Sequence, residues 1–201
     1  MLAGMVSRAE SAAATRRALL DAAAALLDHG GPDAVTLREV GARAGVTRGA
    51  PYRHFPDKDS LLTVIAAEAL DRLADQVQAL VADPGVPTAD TLRRALAALM
   101  DIGRQQPHLY RLMFATPVGD PASIHAATQA GDRAQDAFLA IVADLVGAPQ
   151  ARRYGALLLT SVHGITDMSV SGHLTPAKWH VTAEELVSTL VAMIDQHARC
   201  E

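Results

Sequence analysis

Residues 46–62 read VTRGAPYRHFPDKDSLL, and how this stretch is read decides the fold. The chain around it is rich in Ala and Leu at helical spacing. Here two prolines, Gly49, two of the chain's seven aromatics (Tyr52 and Phe55) and four basic or His side chains stand together. Just upstream, Thr36-Leu37-Arg38-Glu39 has the Thr-x-x-Glu spacing of a capping box and predicts a short helix to about Ala44. Gly45 supplies a turn, and Thr47 is placed to cap a second short helix over about 48–54. Pro56 closes it. Asp57 caps a long helix over 57–82, with Leu62, Ile65, Ala69, Leu73, Val77 and Leu80 at steps of three or four.

Further out the same periodicity continues. A first helix is expected from about Ala12 to His29, stopped at Gly30-Gly31-Pro32. Asp83-Pro84-Gly85-Val86-Pro87 breaks the long helix. Others follow at about 89–105, 107–115, 121–147, 150–172 and 182–198, the last from a second capping box at Thr182–Glu185. No alternating strand pattern appears, so the expected class is all-α, with an N-terminal unit over 12–60 and a C-terminal unit over 61–201.

Composition excludes several function classes. No run of about 18 uncharged apolar residues predicts a membrane span, and the N-terminus lacks an apolar signal core. The single Cys, Cys200, allows no internal disulfide and no Cys-based zinc site; a reducing cytoplasm is the expected setting. None of the eight His makes a His-Glu-x-x-His pattern, and no phosphate-binding or dinucleotide-binding glycine motif is present. No enzyme, metal or cofactor is expected. The net charge is −4, and residues 61–201 are the acidic part. Such a chain can bind DNA through clustered cations without coating it.

Two short helices about a glycine turn form a helix-turn-helix, whose second helix can enter a major groove about 12 Å wide. Arg48, Gly49 and Ala50 would lie at its leading edge, Arg48 able to contact guanine and the two small residues allowing close approach. Tyr52 and His54 could reach phosphate oxygens. Thr36 and Thr47 stand at helix starts, where free N–H groups suit a phosphate. Lys58 is one of two lysines against sixteen arginines, a mobile point charge at a positive helix end. A plain helical bundle, with Tyr52 and Phe55 as core, is the competing reading.

From Thr36 to Ala44, through Gly45-Val46-Thr47-Arg48-Gly49-Ala50 and on to Tyr52-Arg53-His54-Phe55-Pro56-Asp57-Lys58-Asp59-Ser60-Leu61-Leu62, the sequence resembles the DNA-binding domain of the TetR family of transcriptional regulators. The likeness covers roughly residues 15–62 and rests on Tyr-x-x-Phe-x-x-Lys-x-x-Leu. It implies that Tyr52 and Lys58 contact the DNA backbone and that Phe55 locks the recognition helix to the core. Pro51 departs from the aliphatic residue of many relatives and can delay the helix start by a residue, which shifts Arg48.

The resemblance also implies a homodimer on a palindromic operator, with the last two helices as interface. Leu157, Leu158, Val162, Leu186, Leu190 and Ile194 are the candidates, or they complete the monomer's own core. It implies a pocket for a largely apolar effector, for which Met100, Arg104, Tyr110, Met113, Phe114, Phe138 and His163 are candidates. Thr160-Ser161-Val162-His163-Gly164 resembles the Trp-His-Gly signature of one C-terminal subfamily, with Val162 replacing the Trp. His163 is either a satisfied core histidine or an effector partner. The expected function is a repressor released from DNA by a small molecule; an activator, or a scaffold for a protein partner, is the alternative.

Overall fold

Side-chain oxygens mark where helices begin. In the computed structural model, which describes residues 8–82 and 85–200, Thr36 accepts from the Glu39 N–H (3.1 Å) at the start of α2 (Leu37–Arg43). Asp57 accepts from Ser60 N–H (2.7 Å) at the start of α4 (Lys58–Val81). Asp120 accepts from Ala122 and Ser123 N–H at α7 (Pro121–Val146). Thr182 makes a complete capping box with Glu185 at α10 (Ala183–Ala198). At Thr36 only half of the box forms, because the Glu39 carboxylate pairs with Arg38 (3.0 Å) instead.

The described residues form ten helices and no strand. α1 (Arg8–Ala34) starts earlier than the spacing predicts, and its expected stop is a kink at Gly31 (φ 67°). A side chain at Gly31 would also meet the His108 ring at 2.9 Å, so the position needs glycine on two counts. α3 (Pro51–His54), α5 (Thr88–Gln105), α6 (Pro107–Met113) and α8 (Ala148–Val170) complete the main set. α9 (Pro176–Trp179) is a single turn in a connection that carries no helical periodicity. Asp83 and Pro84 of the expected break lie outside the described residues.

Packing gives two apolar cores. One gathers Leu19, Leu27, Val40, Phe55 and Leu61 from α1–α4, with Leu109 of α6 and Ala127 of α7. The other gathers Leu92 and Leu96 of α5, Ile141 of α7, Leu158 and Val162 of α8, and Val187, Val191 and Ile194 of α10. α4 serves both, and half-buried Leu73 touches each. α4 and α7 run parallel. Asp120 N–H donates to Ser60 Oγ (2.9 Å) at their shared start. Further along, Arg133 reaches Asp71 (3.1 Å), Asp75 and Gln78.

Candidate nucleic-acid interface and ligand cavity

The turn between α2 and α3 is built by backbone bonds about Gly45 (φ 67°): Val46 N–H to Gly41 O at 3.1 Å and Ala50 N–H to Thr47 O at 2.9 Å. Here the structure corrects the sequence reading. Thr47 caps no helix; its carbonyl closes a turn, and α3 begins at Pro51 with Ala50 as its N-cap. The reason is Pro51 itself. Its fixed φ and missing N–H suit the first helical position, and its ring is buried against α2, where a Cβ on Gly41 would stand 2.7 Å from it.

Thr47, Arg48 and Gly49 are thus exposed on the turn ahead of α3, with Ala50 half-buried behind them. Tyr52 is 58% exposed on the helix, and His54 is half-buried. Phe55, 2% exposed, points the other way, into the first core. The Arg16 guanidinium lies 5.1 Å over its ring, a cation–π contact from α1 that no local spacing announces. Arg16 and Arg17 also reach Glu68, tying α1 to α4. Asp57 is held below the ordinary carboxylate range by the Ser60 backbone hydrogen bond. Half-buried Lys58 pairs with no carboxylate among the described residues. Exposed Thr36 is occupied as a cap.

Beneath this head lies a cavity of about 650 Å³. α4 contributes Lys58, Leu62, Ala66, Leu70, Leu73 and Val77 at steps of four, four, four, three and four, one face of one helix. α5 adds Leu96 and Leu99, α7 adds Gly131, Gln135 and Phe138, and α8 adds Leu159. The last wall is the chain from Leu112 to Val118, which leaves Phe114 and Val118 46% and 52% exposed. This strap is fastened to the first turns of α4. Thr63 Oγ donates to Val118 O (2.6 Å), and Asp120 N–H donates to Ser60 Oγ (2.9 Å). Between them Gly119 (φ 114°) lies so close that a Cβ would stand 2.6 Å from Ser60 N.

Of the expected pocket residues, Met113, Phe114 and Phe138 line this cavity. The other four do not. Met100 is 1% exposed in the second core. Arg104 turns outward to Glu184 (2.5 Å), whose carboxyl it holds below the usual range. The Tyr110 hydroxyl and His163 Nδ1 share a 2.5 Å hydrogen bond, while burial pushes the His163 pKa down and that of Tyr110 up. His163 Nδ1 is thus taken up by Tyr110, and the His163 ring meets that of Phe114, a cavity residue, edge-on at 4.2 Å.

The expected interface residues separate in the same way. Leu158 and Val162 are fully buried and Ile194 is 4% exposed, so all three are spent on the monomer's core. Leu157 is exposed on α8, and Leu186 and Leu190 are half-buried on α10. Met168 and Met193, which the sequence reading passed over, are 40% and 63% exposed on the same two helices. Among the described residues no cluster of metal-ligating side chains comes together, and no helix is long and apolar enough to cross a membrane.

Comparison with known proteins bears on this architecture directly. Residues 19–65 match the profile described as bacterial regulatory proteins, tetR family, and residues 92–194 match the Tetracyclin repressor-like C-terminal domain. The chain belongs to the TetR family. The HTH-type transcriptional repressor Rv1474c of Mycobacterium tuberculosis is 40% identical over 62 residues, 31% of this chain and 33% of that protein. The HTH-type transcriptional repressor LfrR of Mycolicibacterium smegmatis is 37% identical over 91 residues, 44% of this chain and 46% of that protein. The chain thus spans between a third and a half of the length of these curated relatives. A protein of unknown function from Rhodococcus sp. RHA1 has the same fold, with a TM-score of 0.77 at 23% identity over 91% of this chain and 94% of that one. In TetR terms, α2 and α3 are the helix-turn-helix and α4 joins it to the C-terminal part.

Proposed function

We propose that the protein is a sequence-specific DNA-binding transcriptional regulator of the cytoplasm, a homodimeric repressor released from a palindromic operator by a largely apolar small molecule. The observation that carries this reading is that α4 begins beside the exposed Thr47–Tyr52 edge and then walls the cavity. The head, over 12–60, would read bases through Arg48, Gly49 and Ala50 on the turn. Thr36, Thr47, Tyr52, His54 and Lys58 would hold phosphates. The remainder, over 61–201, would hold the effector against Met113, Phe114 and Phe138, and would dimerise through Leu157, Leu186 and Leu190 together with Met168 and Met193. The Trp-His-Gly signature, with Val162 for Trp, belongs to the same reading of the C-terminal part.

One short recognition helix makes few contacts, so specificity calls for two heads held at half-sites about 34–36 Å apart. A ligand that fits better when the heads are wrongly spaced lowers operator affinity by that difference. The test is selection of bound duplexes from a random pool at physiological salt. Enrichment of a palindrome is the expected result; no enrichment by folded protein makes the helix-turn-helix a structural element and defeats the proposal.

A further inference from the structure

The cavity is long and thin. Its α4 stripe runs from Lys58 to Val77, about 28 Å at 1.5 Å per residue, yet its volume is only about 650 Å³. The far end is lined by Val77, Leu96, Leu99, Phe138 and Leu159 and offers a ligand nothing polar. The head end is different. Lys58 stands there as the one cation of the described wall, on the same face of α4 as the apolar stripe. Three carboxylates lie close to it in sequence or space, yet it pairs with none of them. Asp57 is taken up by Ser60 N–H, and Asp120 by Ala122 N–H, Ser123 N–H and the Ser123 hydroxyl. Asp59 is exposed to solvent. Asp132, the other acid of the wall, is exposed on α7; the parallel register sets it beside the middle of α4, away from Lys58.

We propose that the cavity takes a single unbranched hydrocarbon chain ending in a carboxylate, laid along α4 with its anionic end at Lys58, so that one ammonium serves ligand and operator in turn. An extended chain follows the apolar stripe away from Lys58, whereas a compact ring system fills one part of such a space and leaves the rest wet. Half-burial of Lys58 strengthens the ammonium–carboxylate attraction relative to water. Phe114 and Val118, left exposed at the mouth, are covered by the chain. The consequence for regulation is direct competition at Lys58, added to any change in head spacing. A lysine held by the ligand is withdrawn from the backbone phosphate, and by linkage DNA weakens ligand binding by the same factor. The inference rests on the effector and phosphate roles proposed above.

The experiment is calorimetric titration of the full chain with dodecanoate, dodecanol and dodecylammonium below their micellar concentrations. Binding of dodecanoate roughly tenfold tighter than the alcohol is expected from one charged hydrogen bond. Lys58→Met, which removes the ammonium at a half-buried site and nearly keeps the side chain's length, should bring dodecanoate to the alcohol's level and leave the alcohol unchanged. Saturating dodecanoate should weaken the selected operator, and should weaken it by a smaller factor in Lys58→Met, where the competition for the ammonium is gone. Preference for dodecylammonium, tighter binding of the compact anion 1-naphthoate, or indifference to Lys58→Met would overturn the ligand class. Failure of all three chains to bind does the same and leaves the DNA-reading function standing. Lys58-dependent binding of dodecanoate with unchanged operator affinity keeps the ligand class but overturns the shared lysine and the effector role together.

Discussion

The head and the body of this molecule are built on opposite plans. In the head, the residues that would meet a partner stand on the outside, on a turn and a one-turn helix, held from behind by the single ring of Phe55 and by the Gly41–Pro51 contact. In the body, the candidate binding surface faces inward, assembled from several helices and a strap brought together across long stretches of chain. An outward site depends on local geometry, so caps and turns decide it. An inward site depends on packing register, which no short stretch of sequence controls.

That contrast can be tested by paired substitutions. Phe55→Ala removes the head's anchor and should cost about 3–5 kcal/mol; chemical denaturation should show the loss, and operator binding should vanish with it. In the body, Leu158→Ala hollows the second core and should cost about 2–5 kcal/mol. Its neighbour Leu157→Ala should leave the monomer's stability nearly unchanged and weaken the proposed dimer in sedimentation. Equal effects of the two would contradict the division between core and outer face. Thr36→Ala, which deletes a true cap, should cost about 1 kcal/mol. Thr47→Ala should be close to neutral in thermal melts, because only its backbone carbonyl bonds the turn. A comparable loss at both positions would restore Thr47 as a cap.

The smallest effect is with pH. Asp57 in the head and Asp120 in the body are both held below the ordinary carboxylate range, chiefly by hydrogen bonds from Ser60 N–H and from Ser123 respectively. A lowered folded pKa means the stabilisation is complete above the unfolded value, about 4, and is lost as pH falls below it through the folded value. The double variant Asp57→Asn/Asp120→Asn keeps capping oxygens but cannot titrate. Its melting temperature should therefore fall less steeply than the wild type's in that acid window. Parallel curves would show that the two carboxylates titrate alike in the folded and unfolded chains.

The same division explains what the sequence made legible. The all-helical class, the Asp57 and Thr182 caps, the Gly45 turn and the face of α4 are all local: oxygens at fixed offsets and apolar residues at steps of three or four. Helix ends missed where a local signal had two outcomes, as at Thr47, where Pro51 moved the start of α3. The pocket was half legible. Met113, Phe114 and Phe138 are large apolar residues and do line the space, but Met100, equally apolar, is core, and Tyr110 and His163 bond to each other. Nothing near Gly119 shows that it must lie against Ser60, since the contact joins segments sixty residues apart. Leu157 and Leu158 are adjacent in sequence and identical in kind; only the rotation of α8 sends one outward and the other into the core.

The dual service of α4 bears on how such proteins can be recombined. The expected boundary after residue 60 cuts α4 between two buried side chains, Ser60 and Leu61. It separates the strap's anchor from the helix turn it fastens. The head's core also claims Leu109, Met113, Ala127 and Ala130 from beyond that point. A foreign head grafted there would meet a seam shaped for another partner, and Gly119 leaves no slack for even one methyl group against it. Exchange of operator specificity between such regulators is therefore better made by replacing the outward residues of the Thr47–Tyr52 edge than by transplanting the head as a unit. The reading surface is free to diverge while the junction behind it stays fixed.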